Sequence, residues 1–150
     1  MPTGSSLVIP KTANETVTNS AVLQNDDDFF FSVGEDENWQ IMLTLFLVSS
    51  ASATPNLKFA FTVPAGGAIE AHRWAEGGGL TFVADITTAS VVGSVTTAIS
   101  AHYITARYVG GSVPGVVQLQ WAQNIATAED TQVLRGSWLQ AVRMDRTVTA

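Results

Sequence analysis

Apolar residues in this chain recur at every second position and almost nowhere at helical spacing, a periodicity that restricts it to β-structure. Between Trp39 and Ser49, the side chains of Ile41, Leu43, Leu45 and Leu47 share one face, while Met42, Phe46 and Val48 fall on the other. A strand apolar on both sides needs cover on both sides, within a sandwich or beneath a partner subunit. Leu57, Phe59, Phe61 and Val63 make a single apolar face against Lys58, Ala60 and Thr62. Val117, Leu119 and Trp121 do the same against Gln118 and Gln120. Trp138 and Val142 alternate with Leu139 and Ala141, and residues 96–109 are enough for a strand with a bend. The best helical candidate, 126–134, contains Thr-Ala-Glu-Asp-Thr and reads as a loop entering a strand.

Between these runs lie Asn25-Asp26-Asp27-Asp28, Gly34-Glu35-Asp36-Glu37-Asn38, Pro64-Ala65-Gly66-Gly67, Gly77-Gly78-Gly79 and Gly110-Gly111-Ser112. Gly and Asn supply positive φ at turns, and Pro cannot donate to a ladder. The spacing predicts one all-β domain, a β-sandwich or jelly roll of about eight to ten antiparallel strands. Residues 1–14 are Ser, Thr, Pro and Gly around one apolar patch, Leu7-Val8-Ile9. They read either as a frayed terminus or as an extended N-terminal arm that docks on a neighbouring subunit. The expected organisation is an arm over 1–14, a sandwich over 15–145 and a tail over 146–150.

At 150 residues the chain buries about 68–70% of its unfolded surface without a staple. It has no Cys, which removes disulfide frameworks, zinc fingers, iron–sulfur ligation and thiol catalysis. Charged residues are 13% of the chain, against about 25% in an ordinary soluble domain. So thin a coat of charge suggests surface reserved for other protein. The net charge is -6, and the seven Lys and Arg are scattered, so nucleic acid is not an expected partner. The apolar run from Ile41 is too short for a membrane-spanning helix, and the N-terminus lacks the positive region of a signal peptide. No membrane partner is expected, and the protein is expected to be made in the cytoplasm.

The acidic runs Asp26-Asp27-Asp28 and Glu35-Asp36-Glu37 read as solvated turns rather than a calcium site. An extended segment between Asp28 and Glu35 would hold them about 23 Å apart, and neither run has the EF-hand pattern. Charge at both ends of Phe29–Val33 would also discourage aggregation of that strand. Of the two histidines, His72 shares a face with Glu70, and His102 with Ser100; both are expected at the surface or an interface. No Gly-x-Ser-x-Gly elbow exposes a serine. Glu70, Glu76 and Asp85 have no spacing that selects a glycosidase pair, and Gly77-Gly78-Gly79 lacks the Lys-Ser/Thr of a phosphate loop. No catalytic residue, metal or cofactor is expected. Trp39 and Trp121 are expected in the core. Trp74 is expected near the surface, in packing, in a subunit contact or stacked on a sugar.

The ordered motifs Asn14-Glu15-Thr16-Val17-Thr18-Asn19-Ser20, Leu23-Gln24-Asn25-Asp26-Asp27-Asp28, Glu37-Asn38-Trp39, Asn56-Leu57-Lys58-Phe59-Ala60-Phe61-Thr62-Val63-Pro64, Val117-Gln118-Leu119-Gln120-Trp121-Ala122-Gln123-Asn124 and Val133-Leu134-Arg135-Gly136-Ser137-Trp138-Leu139 resemble a family of small β-rich structural proteins of tailed bacteriophages and prophages. The resemblance runs from Asn14 to Arg143 and carries no catalytic residues. It implies a virion component: a capsid decoration (cement) protein, or a tail-tip or fibre head that binds a host surface glycan. It also implies a homotrimer whose partners are the major capsid protein or tail proteins. Leu7, Val8, Ile9, Trp74, Tyr103 and Tyr108 are the candidate interface residues, and Trp74, Tyr103 or Tyr108 the candidate sugar platform.

Overall fold

In a computed structural model of the chain, which describes residues 4–50, 56–75, 80–83, 86–88, 90–92 and 95–144, alternation translates directly into strands. There are twelve among these residues: β1 (Ser6–Pro10), β2 (Glu15–Thr18), β3 (Gln24–Val33), β4 (Asn38–Ser49), β5 (Leu57–Thr62), β6 (Ala68–Ala75), β7 (Leu80–Val83), β8 (Ser90–Val92), β9 (Ser100–Val109), β10 (Gly115–Gln123), β11 (Asp130–Val133) and β12 (Trp138–Met144). No helix occurs among them, and the two antiparallel sheets form a β-sandwich. The expected eight to ten strands become twelve because short stretches such as β2 and β11 pair only with each other and the end of β4.

The larger sheet has the order β1-β12-β4-β9-β6-β7, and the smaller one β3-β10-β5-β8. Trp39, Ile41, Leu43, Leu45 and Leu47 of β4 enter the core together with Leu57, Phe59 and Phe61 of β5 and Leu119 and Trp121 of β10. Phe31 and Trp39 meet across the sheets with ring centroids 5.2 Å apart, a separation typical of stabilising aromatic pairs. Trp39 and Trp121 are fully buried, as their strand positions predict.

The corner between β3 and β4 carries the chain from one sheet to the other. Asp36 takes a positive φ of 56° there, a conformation that Asp tolerates better than most residues. Glu37 holds the corner: its carboxylate accepts from the Gly34 amide at 2.9 Å and the Trp39 indole at 3.1 Å. Arg143 of β12 lies 3.0 Å from the other oxygen.

Two sequence expectations change here. Residues 6–10, expected in an extended arm, form an edge strand hydrogen-bonded along β12 of the same chain. The first acidic run is not a solvated turn: it lies within β3, and Asp26 is buried. Lys11, which follows β1 directly, enters the same interior and neutralises it. Glu37 of the second run is buried as well, whereas Asp27, Glu35 and Asp36 remain exposed. The tail expected over 146–150 lies outside the described residues, as do Glu76, Gly77-Gly78-Gly79 and Asp85.

Candidate functional site

Pairing register assembles a surface that no single segment contains. On the outer side of the larger sheet, Pro10 stands opposite Trp138, Trp138 opposite Thr44, Thr44 opposite Tyr103 and Tyr103 opposite Trp74. These five uncharged residues come from five strands, and four gaps of about 4.8 Å make the row about 19 Å wide. The neighbouring row runs Val8, Gln140, Met42, Thr105 and His72. Val8 is 65% exposed, Trp74 60%, Tyr103 52% and Met42 38%. Thr44, flanked by Trp138 and Tyr103, is itself buried. Phe46, opposite Ala101, continues the apolar surface toward the end of β4.

Among the described residues of this face, charge returns in the third row: Ser6, Val142, Gln40, Arg107 and Glu70. Arg107 and Glu70 form an ion pair at 2.6 Å with both side chains substantially exposed, so its contribution to stability is small. Gln40, Glu70, His72, Thr105 and Arg107 line a shallow depression of about 310 Å³ beside the aromatic residues. The face therefore grades from aromatic through neutral polar to charged along the strand direction.

The sequence-derived interface residues separate into two groups. Val8, Trp74 and Tyr103 lie on this outer face. Leu7 and Ile9 instead turn inward and pack against the protein's own core. Tyr108 is a correction: it is 0% exposed, opposite Trp39 and Ile69 and facing the core. Burial, together with the Glu37 carboxylate, raises its phenol pKa. Tyr103 and Tyr108 are five positions apart on one strand, which places them on opposite faces; that parity was the available signal. Met42, Thr44 and Trp138 were not singled out, because their adjacency follows from register between distant strands.

Among the described residues, nucleophilic chemistry has one geometric candidate. Ser100 Oγ lies 3.1 Å from His102 Nε2. His102 is buried, contrary to the expectation of a surface or interface histidine, because it sits opposite Leu45 on the core side. His72, three rows away on the neighbouring strand β6 and on the outer side, is exposed as expected. The Ser100 and His102 side chains line neither the outer depression nor the groove between β1 and β3.

The densest charge cluster serves the fold. Lys11 Nζ contacts Glu15 at 2.7 Å, Asp26 at 2.9 Å and Asp28 at 3.5 Å. Burial disfavours the ammonium, but its contacts with Glu15 and Asp26 outweigh that and raise its pKa. Asp26 Oδ1 also accepts the Asp28 and Phe29 amides, each at 3.0 Å. The ammonium thus fills the centre where these carboxylates converge.

No protein-family model, curated protein or solved structure matches the chain.

Proposed function

We propose that this protein is a non-enzymatic structural component of a phage virion, a capsid decoration protein that binds the capsid surface as a homotrimer. The observation that carries the reading is the uncharged row Pro10, Trp138, Thr44, Tyr103 and Trp74 on the outer face of the larger sheet. Exposed apolar patches of this continuity mark interaction surfaces in soluble proteins. Covering one between the subunits of the trimer removes apolar area from water at about 25 cal/mol per Å², and the three copies so joined hold the capsid through avidity. In that role the protein bridges capsomers and strengthens their contacts, with itself and the major capsid protein as partners and the virion as its location. The ordered motifs from Asn14 to Arg143 support the phage assignment. Labelled protein imaged on intact particles by electron microscopy tests it: density over capsomers is the expected result, and density confined to the tail overturns the decoration role.

A second reading has its own observation. Trp74 and Tyr103 are cross-strand neighbours beside the depression lined by Gln40, Glu70, His72 and Arg107. An aromatic platform next to hydrogen-bonding side chains is what a tail-tip or fibre head would need to hold a glycan. Binding on a glycan array that disappears with Trp74→Ala supports this reading; an array without signal removes it.

A further inference from the structure

The open side of the sandwich, where β1 and β3 run beside each other, offers a second and chemically different surface. Among the described residues each strand ends its sheet: β3 pairs with β10 alone, and β1 with β12 alone. Between them lies a groove of about 510 Å³ lined by Leu7 and Ile9 from β1 and by Phe30, Phe31 and Val33 from β3. Phe30 at its rim is 48% exposed.

The edge of β3 is not uniformly available. At its beginning, the Asp27 amide donates to Glu15 at 3.2 Å, and the Asp28 and Phe29 amides donate to Asp26. At its end, the Gly34 amide donates to Glu37. Side chains thus occupy both ends of the edge and leave a window at residues 30–33, about 13 Å long at strand spacing. Carboxylates flank the window: Asp27 precedes it, and Glu35 follows it.

An unpaired edge is a template for another strand, and proteins restrict which strand it accepts. Here the flanking carboxylates would repel the same edge of a second copy. They complement an extended segment with apolar side chains at its centre and cations at both ends. We infer that residues 30–33 of β3 accept such a segment from a partner protein as an added strand, its apolar side chains entering the groove against Leu7 and Ile9. Main-chain hydrogen bonds would supply affinity and alternate side chains specificity, as in other strand-addition complexes. This inference does not depend on the role of the outer face.

The test uses the intact protein and a synthetic probe of sequence Lys-Val-Thr-Val-Thr-Val-Lys, followed by fluorescence anisotropy and amide hydrogen exchange. The expected result is saturable binding that weakens with salt, with slowed exchange at those amides of residues 30–33 that point away from β10. A probe with Glu at both ends should bind about tenfold more weakly, and one with Pro at its centre should not bind. In Asp27→Lys/Glu35→Lys protein the preference should reverse toward the Glu-ended probe. Equal binding of the Lys-ended and Glu-ended probes, no binding, or unchanged exchange at residues 30–33 overturns the inference.

Discussion

Lys11 Nζ lies 2.9 Å from both carboxylate oxygens of Asp26, and the two side chains are 1% and 0% exposed. Lys11 follows the edge strand of the larger sheet and Asp26 belongs to the edge strand of the smaller one, so the pair ties the sheets together. Glu15 and Asp28 complete the shell around the ammonium. Removing one member strands the other charge in the interior, which costs more than the pair itself contributes.

Lys11→Met should therefore destabilise the fold by about 3–5 kcal/mol, the range for an uncompensated buried charge. Lys11→Met/Asp26→Asn should recover much of that loss, because Asn can still accept the Asp28 and Phe29 amides without a buried charge. Urea unfolding followed by circular dichroism measures both variants. Equal losses in the single and double variants contradict the account.

Stability should form a plateau at neutral pH and fall on both sides. Burial opposes ionisation of Asp28 and Glu37, but the Thr12 amide and hydroxyl and Lys11 for Asp28, and the Gly34 amide, Trp39 indole and Arg143 for Glu37, hold both carboxyls below their usual range. Their contribution is complete above the unfolded carboxylate value of about 4 and is lost as pH falls through the lower folded values. Glu15 runs the other way. Burial raises its pKa, and Asp26 adds to this against the pull of Lys11, so its protonation offsets part of the acid loss. Lys11, raised, contributes fully below about pH 10 and loses that contribution as pH rises through its folded value. Melting temperature against pH is the measurement, and Glu37→Gln should make the acid limb shallower. An acid limb of unchanged slope in that variant contradicts the assignment.

Gly110→Ala should disturb the corner between the sheets. A Cβ there would meet the Glu37 carbonyl oxygen and lie 2.8 Å from the Glu37 nitrogen, both backbone atoms of a buried residue. The Gly110 amide also donates to the Glu37 carbonyl at 2.9 Å. Overpacking of this kind costs about 1–3 kcal/mol, read as a shift in the urea midpoint. An unchanged midpoint would mean that the corner yields without cost.

Local alternation carried most of the fold. Trp39–Ser49 predicts β4 nearly to its ends, and the run after residue 126 does enter a strand, β11. What escaped was non-local. Lys11 and Asp26 are fifteen positions apart with no periodic relation, so an acidic run next to Asn25 looked like a turn when it was a strand with one side chain turned inward. The row through Trp138, Thr44, Tyr103 and Trp74 depends on register among four strands spread over nearly a hundred positions of chain, and only Trp74 and Tyr103 stood out in advance. Tyr108 was within reach: its odd spacing from Tyr103 already set it on the opposite face. Leu7 and Ile9 likewise part from Val8 by alternation once residues 6–10 form a strand.

The assembly role of the outer face predicts a separation between folding and association. Trp74→Ala and Tyr103→Ala remove exposed side chains, so each should change stability by no more than about 0.5 kcal/mol. Sedimentation equilibrium of the intact protein and of the Trp74→Ala/Tyr103→Ala variant across a concentration series tests the claim most directly. The account expects the intact protein to sediment as a trimer and the variant as a folded species of lower mass. An intact protein that stays monomeric throughout, or a variant that assembles as tightly as the parent, contradicts it.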